Sequence, residues 1–182
     1  MTVCLVVGSA DCVEDDLNRL GNRVINGTIA VNQAGAWLPR RLNAWASMHP
    51  QYCKLKGWIE DREAAGLHPA EKYYCHQGAS RHEMVPFFQQ TLMSFPGQPP
   101  HTCGSSGLFA AKVALYDLGF DEVIFCGVPI EERPHRNGLS HWVGDDQTVG
   151  AFRSAWLSLR SQDRNRMSSM SGWTKGLLGE PK

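Results

Sequence analysis

A chain of 182 residues, 42% hydrophobic and 20% charged, carries enough apolar material for one packed domain and too much for a disordered one. Eighteen basic residues balance eighteen acidic ones, so the basic footprint of a duplex-binding protein is missing and nucleic acid is disfavoured as the main partner. Six cysteines without a C-x-x-C pair, and an opening apolar run no longer than Val3–Val7, argue against a disulfide framework, a signal peptide and a membrane span, so a cytoplasmic setting is expected.

The elements then follow in chain order. Cys4–Val7 is a short β-branched run that stops at Gly8-Ser9 and reads as a buried strand. Asp11 looks like an N-cap, with Glu14 as its capping-box partner, for a helix ending near Leu20. Thr28–Val31 is a second strand, ending in Asn32. Pro39–Leu42 is at most a helical turn, and Ala44–Ser47 is a third strand, ending before His49-Pro50. Gln51–Ala65 is helical in pattern and Gly66 closes it; Lys72–Cys75 is a fourth strand. Residues 77–103 form an irregular insertion broken by Pro86, Pro96, Pro99 and Pro100, with a short helix near Phe87–Met93. Gly107–Leu118 is a strong helix with Gly119 after its end, and Glu122–Phe125 is a fifth strand ending at Gly127. Glu131–Gly144 is a polar loop, Asp146 caps a helix to about Leu159, and Arg166–Met170 reads as a last short strand. The tail from Ser171 is a helical turn and a loose end.

Apolar strands alternating with helices predict one α/β, Rossmann-like domain over residues 1–170: a mostly parallel sheet of five to six strands with helices on both faces, and residues 171–182 as a tail. In such sheets ligands sit beyond the carboxyl ends of the strands. That rule singles out Gly8, Ser9, Asn32, His49 and Gly127.

Each candidate has a plainer reading beside the functional one. The turn Gly8-Ser9-Ala10-Asp11 either holds an anion on helix N–H groups or only turns the chain. Ser105, Ser106 and Gly107, at a helix start, either bind a phosphate or cap the helix. His49 is either an acid–base group or a surface residue. The loop with Arg133, His135, Arg136 and His141 suits phosphate binding and proton transfer, against a solvated surface loop as the alternative. Cys75, His76, His82, His101 and Cys103 lack a standard zinc spacing, and no metal site is assigned. Trp37, Trp45 and Trp58 suit either the core or an oligomer interface.

Three segments, Val3–Ser9, Ile29–Pro50 and Gly104–Gly127, together resemble two related families: the bacterial CMP-sialic-acid-dependent sialyltransferases and the 6-hydroxymethylpterin diphosphokinase-like proteins, in a small phage- or prophage-type form. The resemblance implies that Gly8, Ser9 and Asn32 line a nucleotide and that Ser105, Ser106 and Gly107 contact its phosphate or sugar. It places Asp145 where the sialyltransferases carry their catalytic histidine, with His141 four residues earlier; residues 128–142 lack the family's phosphate-holding tyrosines, and Pro129 replaces its acidic residue. The expected activity is that of a glycosyltransferase using a CMP- or UDP-type nucleotide-sugar. Asp145, His141 and His49 are its catalytic candidates, and Gly127, Arg133, His135 and Arg136 complete the nucleotide- and phosphate-binding set. The alternatives are a Mg²⁺-dependent diphosphotransferase acting on a pterin-like or nucleoside acceptor, with Asp11, Asp145 or Asp146 holding the ion, and a non-catalytic nucleotide binder.

Overall fold

A computed structural model describes residues 1–99, 104–136 and 146–182 of the chain. Its frame is a sheet of seven strands: β1 (Val3–Val7), β2 (Gly27–Val31), β3 (Ala44–Ala46), β4 (Tyr73–His76), β5 (Gln89–Thr91), β6 (Glu122–Cys126) and β7 (Met167–Ser169). All pair in parallel, in the order β5-β4-β3-β2-β1-β6-β7. The expected α/β, parallel-sheet architecture is therefore observed, with one strand beyond the expected upper number.

The alternation of side chains along β1 explains the layers. Cys4 and Val6 point into one apolar cluster, with Ile29, Val31, Phe125, Leu108 and Trp156; Leu5 and Val7 point into another, with Ala30, Trp45, Val13 and Cys126. The first cluster is covered by α5 (Ser106–Lys112) and α6 (Asp146–Leu157), the second by α1 (Val13–Leu20), α2 (Ala34–Trp37), α3 (Gln51–Leu55) and α4 (Trp58–Ala64). A strand buried on both faces has to be apolar throughout, as VCLVV is. Burial also pushes the Cys4 and Cys126 thiols up to about 12, so both behave as small hydrophobes. Trp45 belongs to this core, and Trp37 and Trp58 are half-buried against it.

Local departures from the sequence reading have identifiable causes. The helix expected over Gln51–Ala65 is two helices, because Gly57 takes φ +69° between them. The turn expected at Pro39–Leu42 is not helical. α2 lies earlier, and the guanidinium of the buried Arg62 collects the carbonyls of Gly35 at 2.8 Å, Leu38 at 3.2 Å, Arg40 at 3.1 Å and His68 at 2.6 Å. The helix expected near Phe87–Met93 is replaced by edge strand β5, preceded by a 3₁₀ turn at His82–Met84; pairing with β4 overrides the helical spacing of the apolar residues. α5 passes at Val113 into a π-helical turn to Asp117, where Lys112 Nζ meets Asp117 at 2.9 Å and Thr91 Oγ1 at 2.8 Å, tying the edge strand to the helix. The tail folds as α8 (Gly172–Leu178), two turns long, after α7 (Ser161–Arg164) and β7. Arg23 holds the carbonyls of Pro181 and Lys182.

Candidate functional site

The chain winds outward from β1 to β5, returns to the other side of β1 as β6, and leaves β6 toward the opposite face. Beyond β1 and β6 the chain therefore diverges, and a crevice opens at this switch point. It is a cleft of about 300 Å³, at the lower end of small-ligand cavities. A larger open groove of about 940 Å³ runs past Met1, Glu122 and Arg166, at the amino ends of the strands. That is the end of a parallel sheet where ligands are not expected, and the cleft is the stronger candidate.

The glycines at the switch point are there for space. A Cβ on Gly8 would lie 2.3 Å from the Gly127 carbonyl oxygen, and Gly127 has φ +67° with Val13 and Gly8 against it. A Cβ on Gly107 would meet Val128 at 2.6 Å, so this glycine brings the start of α5 onto the β6 turn.

Ser9 is 7% exposed, lines the cleft, and its hydroxyl has no hydrogen-bond partner among the described residues, an unusual state for a buried polar atom. Asn32 takes φ +50°, a left-handed conformation that asparagine tolerates. Its carbonyl accepts the Trp45 indole N–H at 2.8 Å, and its Oδ1 accepts the Ser47 hydroxyl at 2.8 Å. Both oxygens of Asn32 are thus engaged within the fold, while the residue lines the cleft. Ser47 Oγ in turn accepts the His49 backbone N–H at 3.1 Å, which fixes the start of the His49 segment. His49 lines the cleft half-buried, and burial, reinforced by the charge of His76, lowers its pKa, so the ring is neutral at neutral pH.

The two serines of α5 divide their work. Ser105 Oγ accepts the Leu108 N–H at 3.3 Å as the N-cap and the Trp156 indole N–H at 3.2 Å; its role is to hold the helix. Among the described residues Ser106 Oγ accepts only a long contact from Met48 N–H, 3.4 Å, and it lies at the cleft.

Asp11 is not the cap of α1. That position is Cys12, with no side-chain cap bond, while Asp11 pairs with Arg133 at 2.9 Å and Glu14 pairs with Arg136. Two N–H groups of the turn before α1 are also committed. Ala10 donates to Gly127 O at 3.3 Å and Asp11 to Pro134 O at 3.0 Å, beside the Ala10–His135 bridge. With Glu14, Asp15 and Asp16 in its first turn, α1 is a less favourable anion site than a helix start without acidic residues. Arg133 and His135 line the cleft. Arg136 does not; its guanidinium lies 4.4 Å over the Trp37 ring and is tied to Glu14. His141 and Asp145 lie outside the described residues.

The structure adds residues that the sequence reading passed over. Asp16, fully buried, accepts the Gly127 N–H at 2.8 Å, the Ser171 hydroxyl at 2.7 Å and Arg19 at 2.8 Å. A carboxylate between Val13 and Leu20 on the buried face of α1 was the available signal. Met48, Ile130 and Phe152 give the cleft an apolar flank, and Ile130 has φ +51°, a strained value for a β-branched residue. Among the described residues, no three His, Cys, Asp or Glu side chains come together as a metal-binding group, and no helix is long and apolar enough to cross a membrane.

Fold and cleft together define the class: a doubly wound α/β domain with a cleft at its topological switch point. No family, no curated protein and no solved structure matches the chain.

Proposed function

We propose that this cleft binds a nucleotide-sugar carrying a single phosphate, of CMP type, and that the protein transfers the sugar as a glycosyltransferase-like enzyme. The observation that carries the reading is the convergence of Ser9, Asn32, His49 and Ser106, from four separate strand or helix ends, on one crevice with an apolar flank. Apolar Met48, Ile130 and Phe152 suit a base or sugar face, and Ser9, Asn32 and Ser106 supply neutral donors. The one described guanidinium at the cleft, Arg133, is already paired with Asp11, which favours a ligand with little phosphate charge over a triphosphate. The order of motifs that resembles the sialyltransferases points the same way.

In this reading His49, neutral at neutral pH, takes the proton from an acceptor hydroxyl. The acceptor oxygen bonds to the sugar carbon as the bond from that carbon to the phosphate oxygen breaks, and CMP leaves with its charge facing Ser106 and Arg133. The Mg²⁺-dependent alternative is less well supported, because the Asp11 carboxylate is committed to Arg133.

A thermal-shift panel tests the choice. CMP at a hundred times its Kd should raise the melting temperature by about 5–10 °C without Mg²⁺. A shift with Mg²⁺-ATP alone would favour the diphosphotransferase, and no shift with any nucleotide ends the proposal.

A further inference from the structure

The wall of the cleft formed by Gly127–Ile130 is held almost entirely by residues from elsewhere in the chain. Gly127 donates to Asp16. The Val128 carbonyl accepts the Thr174 hydroxyl at 2.7 Å, the Pro129 carbonyl accepts the Thr174 N–H at 3.3 Å, and the Ile130 carbonyl accepts Arg153 Nε at 3.2 Å. Gly172, with φ +65°, lies so close to Pro129 that a Cβ there would stand 2.3 Å from the proline Cβ. Thr174 is fully buried, and its hydroxyl also meets Ser169 Oγ at 2.8 Å. Ser171 joins the set from the other side, donating to Asp16 while its oxygen lies 3.2 Å from Cys12 Sγ.

We infer that the segment from Ser169 to Thr174 is a working part of the ligand site. Thr174 and Ser171, the latter through Asp16, are positioning residues that hold the strained turn at Ile130 and set the width of the cleft. Neither residue lines the cleft. Their effect passes through backbone groups, Val128 O and Pro129 O for Thr174 and Gly127 N for the Ser171–Asp16 pair. A buried donor network that is fully satisfied fixes one arrangement, and removing one member frees the groups it held. The inference rests on the cleft being the ligand site, and its test separates the two.

The variants are Thr174→Val, which keeps shape and loses the hydroxyl, Thr174→Ser, which keeps the hydroxyl, and Ser171→Ala. Calorimetry with CMP as the probe should show wild-type binding, a Kd raised about tenfold in Thr174→Val and in Ser171→Ala, and near-wild-type affinity in Thr174→Ser. Amide exchange should accelerate at Gly127, whose N–H is held by Asp16, in Ser171→Ala, and at residue 174, whose N–H is held by Pro129 O, in Thr174→Val, and stay slow at both in Thr174→Ser. If Thr174→Val fails to fold, Ser171→Ala carries the comparison. A lowered melting temperature with unchanged CMP affinity and unchanged exchange overturns the positioning role and leaves the site reading intact. A wild-type protein that does not bind CMP removes the ligand assignment, and the exchange rates then decide alone whether these hydroxyls hold the turn.

Discussion

Two helix starts face the cleft, and they look alike in sequence: a glycine and serine at Gly8-Ser9 before α1, and glycines flanking serines at Gly104-Ser105-Ser106-Gly107 before α5. Their roles differ. The α1 turn commits the Ala10 and Asp11 N–H groups to Gly127 and Pro134, and its first turn holds Glu14, Asp15 and Asp16. The α5 start has no acidic residue in its first turn, and among the described residues Ser106 is bonded only by the long Met48 contact. A glycine–serine turn shows where the backbone can bend; the neighbouring charge and the fate of its N–H groups decide whether an anion is welcome.

Gly8→Ala is the severest way to break the comparison. The added methyl would lie 2.3 Å from Gly127 O and 2.8 Å from Val128 Cγ2, so the two strand ends must separate. The expected loss is about 1–3 kcal/mol by denaturant unfolding, as for an overpacked core, with weakened CMP binding. A variant as stable as the wild type would mean that the α1 side gives way, and the contrast with α5 would lose its structural basis.

Neighbouring serines offer a milder and sharper comparison. Ser105→Ala removes both the cap of α5 and the acceptor of the Trp156 N–H, so about 1–2 kcal/mol of stability should go. Ser106→Ala should change stability by no more than about 0.5 kcal/mol, yet weaken CMP binding. Unfolding curves and calorimetry on the pair read both quantities, and the reverse pattern would exchange the two roles.

The elements that were legible in the sequence are those whose burial leaves a local mark. β1, β2 and β6 are apolar on both faces because the sheet is covered on both, and Gly8, Asn32 and Gly127 end them in recognisable turns. β5 was not legible: an edge strand reading Gln-Gln-Thr is exposed and carries no alternation, and the flanking Phe87, Phe88, Leu92 and Met93 suggest a helix instead. Ser105 and Ser106 could not be told apart, since what separates them is an indole from α6, 51 residues on. Nothing near Ser171 or Thr174 points to the cleft either; their partners Asp16 and Val128 are 155 and 46 residues away. Arg136 was placed in the site by its company with Arg133 and His135, and only the Trp37 ring and Glu14 show that it faces away.

The smallest expected effect bears on which side of the cleft holds the phosphate. Burial lowers the His49 pKa in the folded protein, so the unfolded chain takes up a proton on this residue first as pH falls. Its share of stability is complete above the ordinary histidine value of about 6.5 and is lost as pH falls toward and through the lowered folded value. His49→Gln should therefore flatten the decline in stability below pH 6.5 and leave the curve above pH 7 unchanged in shape. Bound CMP adds a negative phosphate. If that group lies at the α5 start beside Met48 and Ser106, it favours the His49 cation and raises the folded pKa toward the unfolded value, so the wild-type decline becomes shallower, while the His49→Gln curve keeps its shape. A wild-type curve whose pH dependence ignores a saturating amount of CMP would put the phosphate away from His49, and would return the α1 turn to consideration despite its three carboxylates.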